Sequence, residues 1–200
     1  MEHAAVNPSR VVTLAGSLRT GSYNQRLLDA AAELAPQTLS LNRYEELAAV
    51  PLFNEDVEAR GLPSGVRKLC EAIRTADALL VATPEYNQSI PGVLKNAIDW
   101  LSRPACEGVL EGKPVGIIGV TVGPWGTRFA QAALRHVLFA TDSLVVPGAG
   151  LFLREAARLF DSDGKLRDAA AREALSRYLS EFATVLRRSR TPLRLTALPR

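Results

Sequence analysis

Two residue types that carry much enzyme chemistry are scarce in this chain of 200 residues, which has only two histidines and two cysteines. His3 is close to the N-terminus, and His136 lies in a predicted helix where a structural or surface role is favoured over catalysis. Cys70 and Cys106 are far apart and have neither metal-binding nor redox spacing, so we expect one in a helix and one in a loop. The chain also lacks a G-x-S-x-G nucleophile elbow and a carboxylate cluster for a metal. If it is an enzyme, a bound cofactor is expected to supply the chemistry.

Long hydrophobic runs are also missing, since none approaches the roughly 20 residues that span a bilayer. The first eight residues lack the basic flank and the apolar stretch of a secretory signal. We therefore expect a cytoplasmic protein without a membrane partner. Hydrophobic residues make up 47% of the chain, which argues against disorder. Its length suits a single domain over residues 1–200, with a core of about 10–188 and a tail of 189–200.

The charge of the chain is weakly basic, with a formal net charge of +3. The densest basic cluster is residues 187–190, with Arg194 and Arg200 nearby. This cluster lacks the interleaved aromatic residues on which nucleic-acid bases stack. A solvated helix end that runs into a frayed tail explains it more simply, so we expect no nucleic-acid partner.

Apolar runs and amphipathic stretches alternate along the whole chain. Strands are predicted at residues 10–14, 37–41, 78–82, 115–120 and 143–146. Helices are predicted at residues 24–35, 64–76, 93–101, 128–139 and 169–188, with a looser excursion at 148–165. This alternation predicts an α/β fold: a doubly wound, five-stranded parallel sheet with helices on both faces.

The loop after the first strand, residues 15–24, matches neither a dinucleotide fingerprint nor a P-loop. Asn42 follows the second strand, where an NAD-binding protein would have an acidic residue. Neutral donors, one cation and a helix N-terminus together favour a site for a single phosphate group. An ordinary turn with a helix N-cap is the alternative interpretation. The residues concerned are Ser17, Arg19, Thr20, Ser22 and Asn24, of which Ser22 or Asn24 would be the cap.

The loop after the third strand, residues 83–92, has no cysteine, histidine or lysine. It has an aromatic ring, two prolines and several backbone amides, which suit contact with a flat heterocycle better than attack on a bond. Glu85 could act as a general acid, but the sequence shows no partner for it. Asn87 and Ser89 could equally be solvated turn residues or helix caps, and the prolines could simply stiffen the connection.

The loop after the fourth strand, residues 121–127, contains glycines that permit close backbone approach to a ligand. Trp125 could lie beside a ring or be exposed in a plain turn, and the two readings are nearly even. Gln131 and Arg135 follow at helical spacing and are expected to mark a polar face. Trp100 is expected in the core or at an interface.

Together these loops resemble the NADPH-dependent FMN reductase family of flavodoxin-like proteins, which includes azo, quinone and chromate reductases. The matching segments are residues 16–24, 84–100 and 126–135, and the resemblance extends over about 10–188. It implies an FMN site whose phosphate is bound by the first loop and whose isoalloxazine lies along the second, with the third loop opposite. The implied cofactor-binding residues are Ser17, Arg19, Ser22, Tyr23, Asn24, Pro84, Glu85, Tyr86, Asn87, Ser89 and Gly123.

The resemblance also implies an activity: hydride transfer from NADPH or NADH, through FMN, to a quinone, azo compound, flavin or metal oxyanion. No side chain is then an obligatory acid or base, and no metal is required. Relatives are dimers or tetramers with the flavin near a subunit interface. Gln88, where closer relatives often have an aromatic residue, and Pro124 and Trp125 in the third loop depart from the pattern. The alternative is an FMN-binding electron carrier or sensor, which the basic charge mildly disfavours.

Overall fold

The computed structural model describes residues 7–148 and 150–189. The strands are β1 (Ser9–Ala15), β2 (Leu39–Arg43), β3 (Ala78–Ala82), β4 (Pro114–Val120), β5 (Leu144–Val145) and β6 (Leu151–Leu153). The helices are α1 (Tyr23–Leu34), α2 (Glu55–Glu58), α3 (Ser64–Thr75), α4 (Gly92–Leu101), α5 (Arg128–Phe139), α6 (Ala156–Leu159) and α7 (Ala169–Ser189). All strand pairs named here are parallel, in the order β2-β1-β3-β4-β5, and β6 also pairs with β4. The predicted doubly wound α/β fold is confirmed.

Side-chain alternation along β3 divides the core into two layers. Leu79 and Val81 pack with α3, α4 and α5, whereas Leu80 packs on the other face with α1 and α7. All five residues of β3 are buried, as expected for a central strand of a parallel sheet. Apolar residues of α3 such as Leu69 and Ile73 recur on one side, which turns that helix toward the sheet.

Strand β2 begins at Leu39, two residues later than predicted, and continues to Arg43. A turn precedes it, in which the N–H of Leu39 donates to the carbonyl oxygen of Pro36 at 2.9 Å. Because β2 is an outer strand, its last residues remain accessible to water and can be polar. The prediction followed the apolar residues and therefore ended too early, before Asn42.

The predicted fifth strand is reduced to the two residues of β5. Pro147 and Gly148 interrupt the strand, and the φ of Gly148 is +118°. The chain then pairs with β4 again, this time as strand β6. β5 pairs with the start of β4 and β6 with its end, so the two share one position in the sheet. The prediction of a loose excursion over residues 148–165 was therefore wrong for β6 and α6, which are too short to show a period in the sequence.

The two cysteines are adjacent in space and form a disulfide, contrary to the expectation from their spacing. Cys70 lies in α3, as predicted, and Cys106 ends a short 3₁₀ helix, Pro104–Cys106, after α4. Their Cα atoms are 5.7 Å apart, and both residues are buried. The bond ties the segment after α4 to the neighbouring helix, a contact that bridges 36 positions and has no local sequence signal.

Helix α4 is more fully covered than the sequence suggested. Trp100 is buried and donates its indole N–H to the carbonyl oxygen of Pro51 at 2.8 Å. Asn96 donates to the same oxygen at 2.9 Å and accepts from the N–H of Phe53 at 2.7 Å. These bonds hold the long connection after β2 over α4, so this helix offers little apolar surface to a partner.

Two expectations concern residues outside the described part of the chain, namely His3 and the basic tail beyond Ser189. Within residues 7–148 and 150–189, no helix has both the length and the apolar character needed to cross a membrane.

Candidate functional site

Three loops begin side by side at the carboxyl edge of the sheet. In the parallel register Ala15 is next to Ala82, and Ala82 is next to Ile118. The first crossover connects β1 to β2 on one side of it, and the next connects β2 to β3 on the other side of β1. The direction in which strands are added to the sheet therefore reverses between β1 and β3. Such a switch point leaves a crevice outside the strand ends, where open α/β sheets bind ligands.

A cavity of about 200 Å³ occupies this crevice. Its walls are the loop after β1, the loop after β3 and the first residues after β4, and all but three of the predicted site residues line it. The lining is Ser17, Arg19, Ser22, Tyr23, Asn24, Pro84, Glu85, Tyr86, Val120, Thr121 and Val122. Asn87, Ser89 and Gly123 do not line it. The loop of residues 121–127 was expected to face the ligand, but Val120, Thr121 and Val122 were not named individually as site residues.

The loop after β1 has free donors that fit an anion. Arg19 is exposed, and among the described residues its guanidinium has neither an ion pair nor a hydrogen bond. The backbone N–H groups of Leu18, Thr20 and Gly21 also have no partner in this part of the chain. Ser22 caps α1 by accepting from the N–H of Asn24 at 3.3 Å. A helix N-terminus, unpaired amides and a cation are the donor set that a phosphate group requires.

Asn24 has a different role from the one expected. Its amide nitrogen donates to the carbonyl oxygen of Val120 at 2.9 Å, and its amide oxygen accepts from the N–H of the same residue at 3.1 Å. Both ends of the buried side chain are thus used within the protein. Asn24 therefore joins α1 to β4 and forms part of the cavity wall.

The loop after β3 contains a tight turn at the mouth of the cavity. Tyr86 and Ser89 exchange two backbone hydrogen bonds of 3.0 Å, and the residues between them, Asn87 and Gln88, have φ values of 51° and 61°. Two successive positive φ values define a type I′ turn, which asparagine tolerates better than glutamine. The turn holds Tyr86 at the mouth, half exposed, with its hydroxyl donating to Ser17 at 3.3 Å.

Glu85 is engaged with the helix that follows the third loop. Its Oε2 atom accepts from the N–H groups of Phe129 at 2.8 Å and Ala130 at 3.0 Å, in the first turn of α5. The carboxylate is therefore used as a helix cap, which removes the basis for a general-acid role. Only the backbone and the stem of Glu85 are left to line the cavity.

The third loop, after β4, is held by hydrogen bonds to the segment that follows β6, which the sequence did not predict. Thr121 donates to the carbonyl oxygen of Leu153 at 3.1 Å and accepts from Ala156 at 3.0 Å, while the carbonyl oxygen of Gly123 accepts from Glu155 at 3.2 Å. The segment after β6 thus fixes the loop that carries Trp125. That tryptophan is 73% exposed.

The spacing of Gln131 predicted that it marks a polar face of α5. The structure shows instead that Gln131 is fully buried. Its amide nitrogen donates to Thr127 Oγ1 at 3.0 Å and to the carbonyl oxygen of Leu151 at 2.8 Å. Arg135 lies one turn later and is only partly exposed, bonded to the carbonyl oxygen of Val146 at 3.3 Å. A polar residue on the inner side of a helix can thus anchor a strand, which periodicity alone does not reveal.

A larger cavity, about 570 Å³, lies at the opposite end of the sheet. Its lining includes Pro114, Phe139, Leu144 and Val185, and none of the predicted site residues. It is predominantly apolar and lies near the amino ends of β4 and β5. By volume alone this cavity would be the candidate ligand site, but the unpaired hydrogen-bond donors lie in the cavity at the switch point.

A doubly wound sheet with one anion-sized loop after β1 and a proline-rich loop after β3 defines a flavodoxin-like protein that binds a mononucleotide. Comparison with known proteins identifies the particular family. The model of the NADPH-dependent FMN reductase family matches residues 9–158. The chain belongs to the NADPH-dependent FMN reductase family.

Individual relatives agree with this family. An NAD(P)H-dependent FMN reductase of Pseudomonas aeruginosa is 44% identical over 181 residues, which cover 90% of this chain and 97% of the relative. A quinone reductase of Pseudomonas putida is 40% identical over 180 residues, covering 90% and 96%. The flavoenzyme NAD(P)H:(acceptor) oxidoreductase FerB of Paracoccus denitrificans superposes with a TM-score of 0.83 at 31% identity, covering 90% and 98%. The protein is an oxidoreductase that uses FMN and NAD(P)H, as the resemblance implied.

Proposed function

We propose that this protein is an FMN-dependent quinone reductase, with NAD(P)H as the electron donor. The observation that carries the proposal is the cavity at the switch point, which has anion donors on the side of the loop after β1 and the aromatic ring of Tyr86 on the side of the loop after β3. Tyr86, Val122 and Trp125 have exposed fractions of 50%, 68% and 73%, an apolar surface that suits a flat, neutral acceptor better than a metal oxyanion. Several relatives, including the one from Pseudomonas putida, are named quinone reductases.

One group of cavity residues binds the phosphate end of FMN, and a second group contacts its ring system. The Arg19 guanidinium, the free amides of residues 18, 20 and 21, and the hydroxyl groups of Ser17 and Ser22 bind the phosphate. Pro84 and the backbone of Glu85 and Tyr86 lie along the ring system, and Asn87, Ser89 and Gly123 contact its outer part. Tyr23 and Asn24 complete the wall beside the phosphate. Held by these residues, FMN would supply the redox chemistry, which is hydride transfer from the nicotinamide to the acceptor.

The protein contributes position and exclusion of water and does not transfer protons itself. The Glu85 carboxylate is bonded to α5, and the other ionisable side chain in the cavity besides tyrosine is Arg19, a permanent cation. This inventory suits hydride transfer through a cofactor.

The visible spectrum of the purified protein, followed by anaerobic mixing with NADPH or NADH, tests the function. We expect a flavin spectrum, bleaching by a nicotinamide, and return of the colour when a quinone is added; mass spectrometry of the flavin released from the protein should give FMN rather than FAD. The alternative function, an electron carrier or sensor, predicts bound FMN that neither nicotinamide bleaches.

The functional unit is expected to be a homodimer or a homotetramer. Trp125, Phe129 and Phe139 are large apolar residues with exposed fractions of 73%, 55% and 77%, and they lie in or next to α5. Such surface is frequently covered by a second copy of the chain. Light scattering at micromolar concentration tests this expectation, and a fully active monomer would contradict it.

A cytoplasmic location is also proposed, since NAD(P)H is available there. The disulfide is the opposing observation, because disulfides are rare in reducing compartments. Cell fractionation tests the location, and a cytoplasmic protein is the expected result. Alkylation of thiols in denaturant at lysis shows whether the disulfide between Cys70 and Cys106 is present there.

A further inference from the structure

Helix α5 begins without a cap from its own N-terminal residue. Thr127 is in the N-cap position, but it is fully buried and its hydroxyl accepts a hydrogen bond from Gln131 at 3.0 Å. The N–H groups of the second and third helical residues would normally bond to the N-cap side chain. Here Phe129 and Ala130 donate instead to Glu85 Oε2, at 2.8 and 3.0 Å. The cap therefore comes from another loop, more than 40 positions earlier in the sequence.

The position of Glu85 gives this cap a functional meaning. Its neighbours Pro84 and Tyr86 line one wall of the cavity, while Val120 to Val122, just before the loop that leads into α5, line the facing wall. The carboxylate therefore connects the wall formed by the loop after β3 to α5, the helix that follows the facing wall. The bonds are charge-assisted, and the negative charge lies at the positive end of a 12-residue helix, so the connection is strong for a single side chain.

We propose that Glu85 is a positioning residue that couples the two walls of the flavin cavity. FMN held by the first two loops fixes the backbone at Glu85. Because the Glu85 carboxylate is bonded to α5, the start of α5 and residues 121–127 then become less mobile as well. The surface that receives the acceptor is then complete only when FMN is bound. This inference rests on the proposed flavin site, and Glu85 acts through α5 without touching the reacting atoms by its carboxylate.

Hydrogen–deuterium exchange of apo and FMN-bound protein tests the coupling, with the variants Glu85→Ala and Glu85→Gln. In the wild type, FMN should slow exchange both in residues 15–24 and 84–91 and in residues 121–130. In Glu85→Ala at saturating FMN, protection of the first two segments remains, whereas FMN-dependent protection of residues 121–130 falls by about fivefold or more. Glu85→Gln keeps one acceptor oxygen without the charge, so it should lie between the two. Glu173→Gln, an exposed carboxylate on α7, is the matched control and should behave as wild type.

Binding and kinetic measurements separate positioning from catalysis. We expect the FMN dissociation constant of Glu85→Ala to rise by about 2- to 30-fold, the range for loss of one helix cap. The KM for the quinone should rise by a larger factor than the limiting rate falls. Removal of a proton-transferring group would instead lower the rate by roughly 10²–10⁴-fold.

Each outcome distinguishes this inference from the site on which it rests. If FMN protects residues 121–130 equally in wild type and Glu85→Ala, the coupling is refuted, even if the variant is less stable. If Glu85→Ala does not fold, Glu85→Gln decides by the same comparison, and equal protection again refutes the coupling. If FMN fails to protect residues 15–24 and 84–91 in the wild type, the proposed flavin site itself is wrong.

Discussion

Replacement of Arg19 by alanine separates the phosphate end of the cavity from the rest of the protein. Because the Arg19 guanidinium is exposed and has no partner among the described residues, its removal should leave the unfolding of the apoprotein unchanged. A hydrogen bond to a charged group contributes about 1.5–3 kcal/mol. Loss of the bond to the FMN phosphate should therefore raise the dissociation constant by about 10- to 150-fold.

Titration of the apoprotein with flavin, followed by fluorescence quenching, measures the effect, and riboflavin is the decisive comparison. Riboflavin has the same ring system as FMN but no phosphate, so its affinity should be equal in wild type and Arg19→Ala. Arg154→Ala, at an exposed arginine that does not line the cavity, serves as the control and should leave both affinities unchanged. Equal FMN affinity in wild type and Arg19→Ala, or an equal loss for riboflavin, would refute the assignment of Arg19 to the phosphate.

Three further predictions concern kinetics, the disulfide and pH. Steady-state kinetics should be ping-pong, with parallel lines in double-reciprocal plots, because nicotinamide and acceptor use the same mouth of the cavity; intersecting lines would contradict this. Reduction of the disulfide, or the Cys70→Ser and Cys106→Ser double variant, should lower the free energy of unfolding by about 3–4 kcal/mol in urea titrations, since the bond closes a 36-residue separation. Burial raises the pKa of Tyr178 to about 12, so the neutral phenol favours the folded state. Its contribution, about 2–3 kcal/mol, is complete below about pH 10 and is lost as pH rises toward 12; Tyr178→Phe should show a flatter fall in stability over that interval, and an unchanged slope would contradict the assignment.

Local sequence signals predicted the elements that are buried on both sides or end at clear boundaries. β3 has its predicted bounds because five consecutive apolar residues form it and Thr83-Pro84 ends it. α5 also has its predicted bounds, residues 128–139. β2 was displaced because an outer strand can continue through polar residues such as Asn42. β5 and β6 were misread because their pairing is decided by β4, which lies far away in the sequence.

The candidate site shows the same limit in its chemistry. The residue types of the first two loops indicated which segments meet, and most of these residues do line one cavity. What individual side chains do there depends on partners that the sequence does not name. Asn24 bonds to Val120 across 96 positions, and Glu85 bonds to Phe129 across 44. Both were predicted as ligand contacts. The sequence around a polar residue in a loop does not show whether its side chain bonds to a distant part of the backbone.

The division of the outermost strand position between β5 and β6 also affects how the protein behaves at high concentration. A continuous, flat outer strand presents a row of unpaired N–H and C=O groups on which a strand of another molecule can add, which is a route to aggregation. Here that row is two residues long, then broken by Pro147 and Gly148, then three residues long. Neither piece is long enough to template a stable ladder. The same interruption that obscured the fold in the sequence therefore protects this edge of the sheet, opposite β2, from edge-to-edge pairing between native molecules.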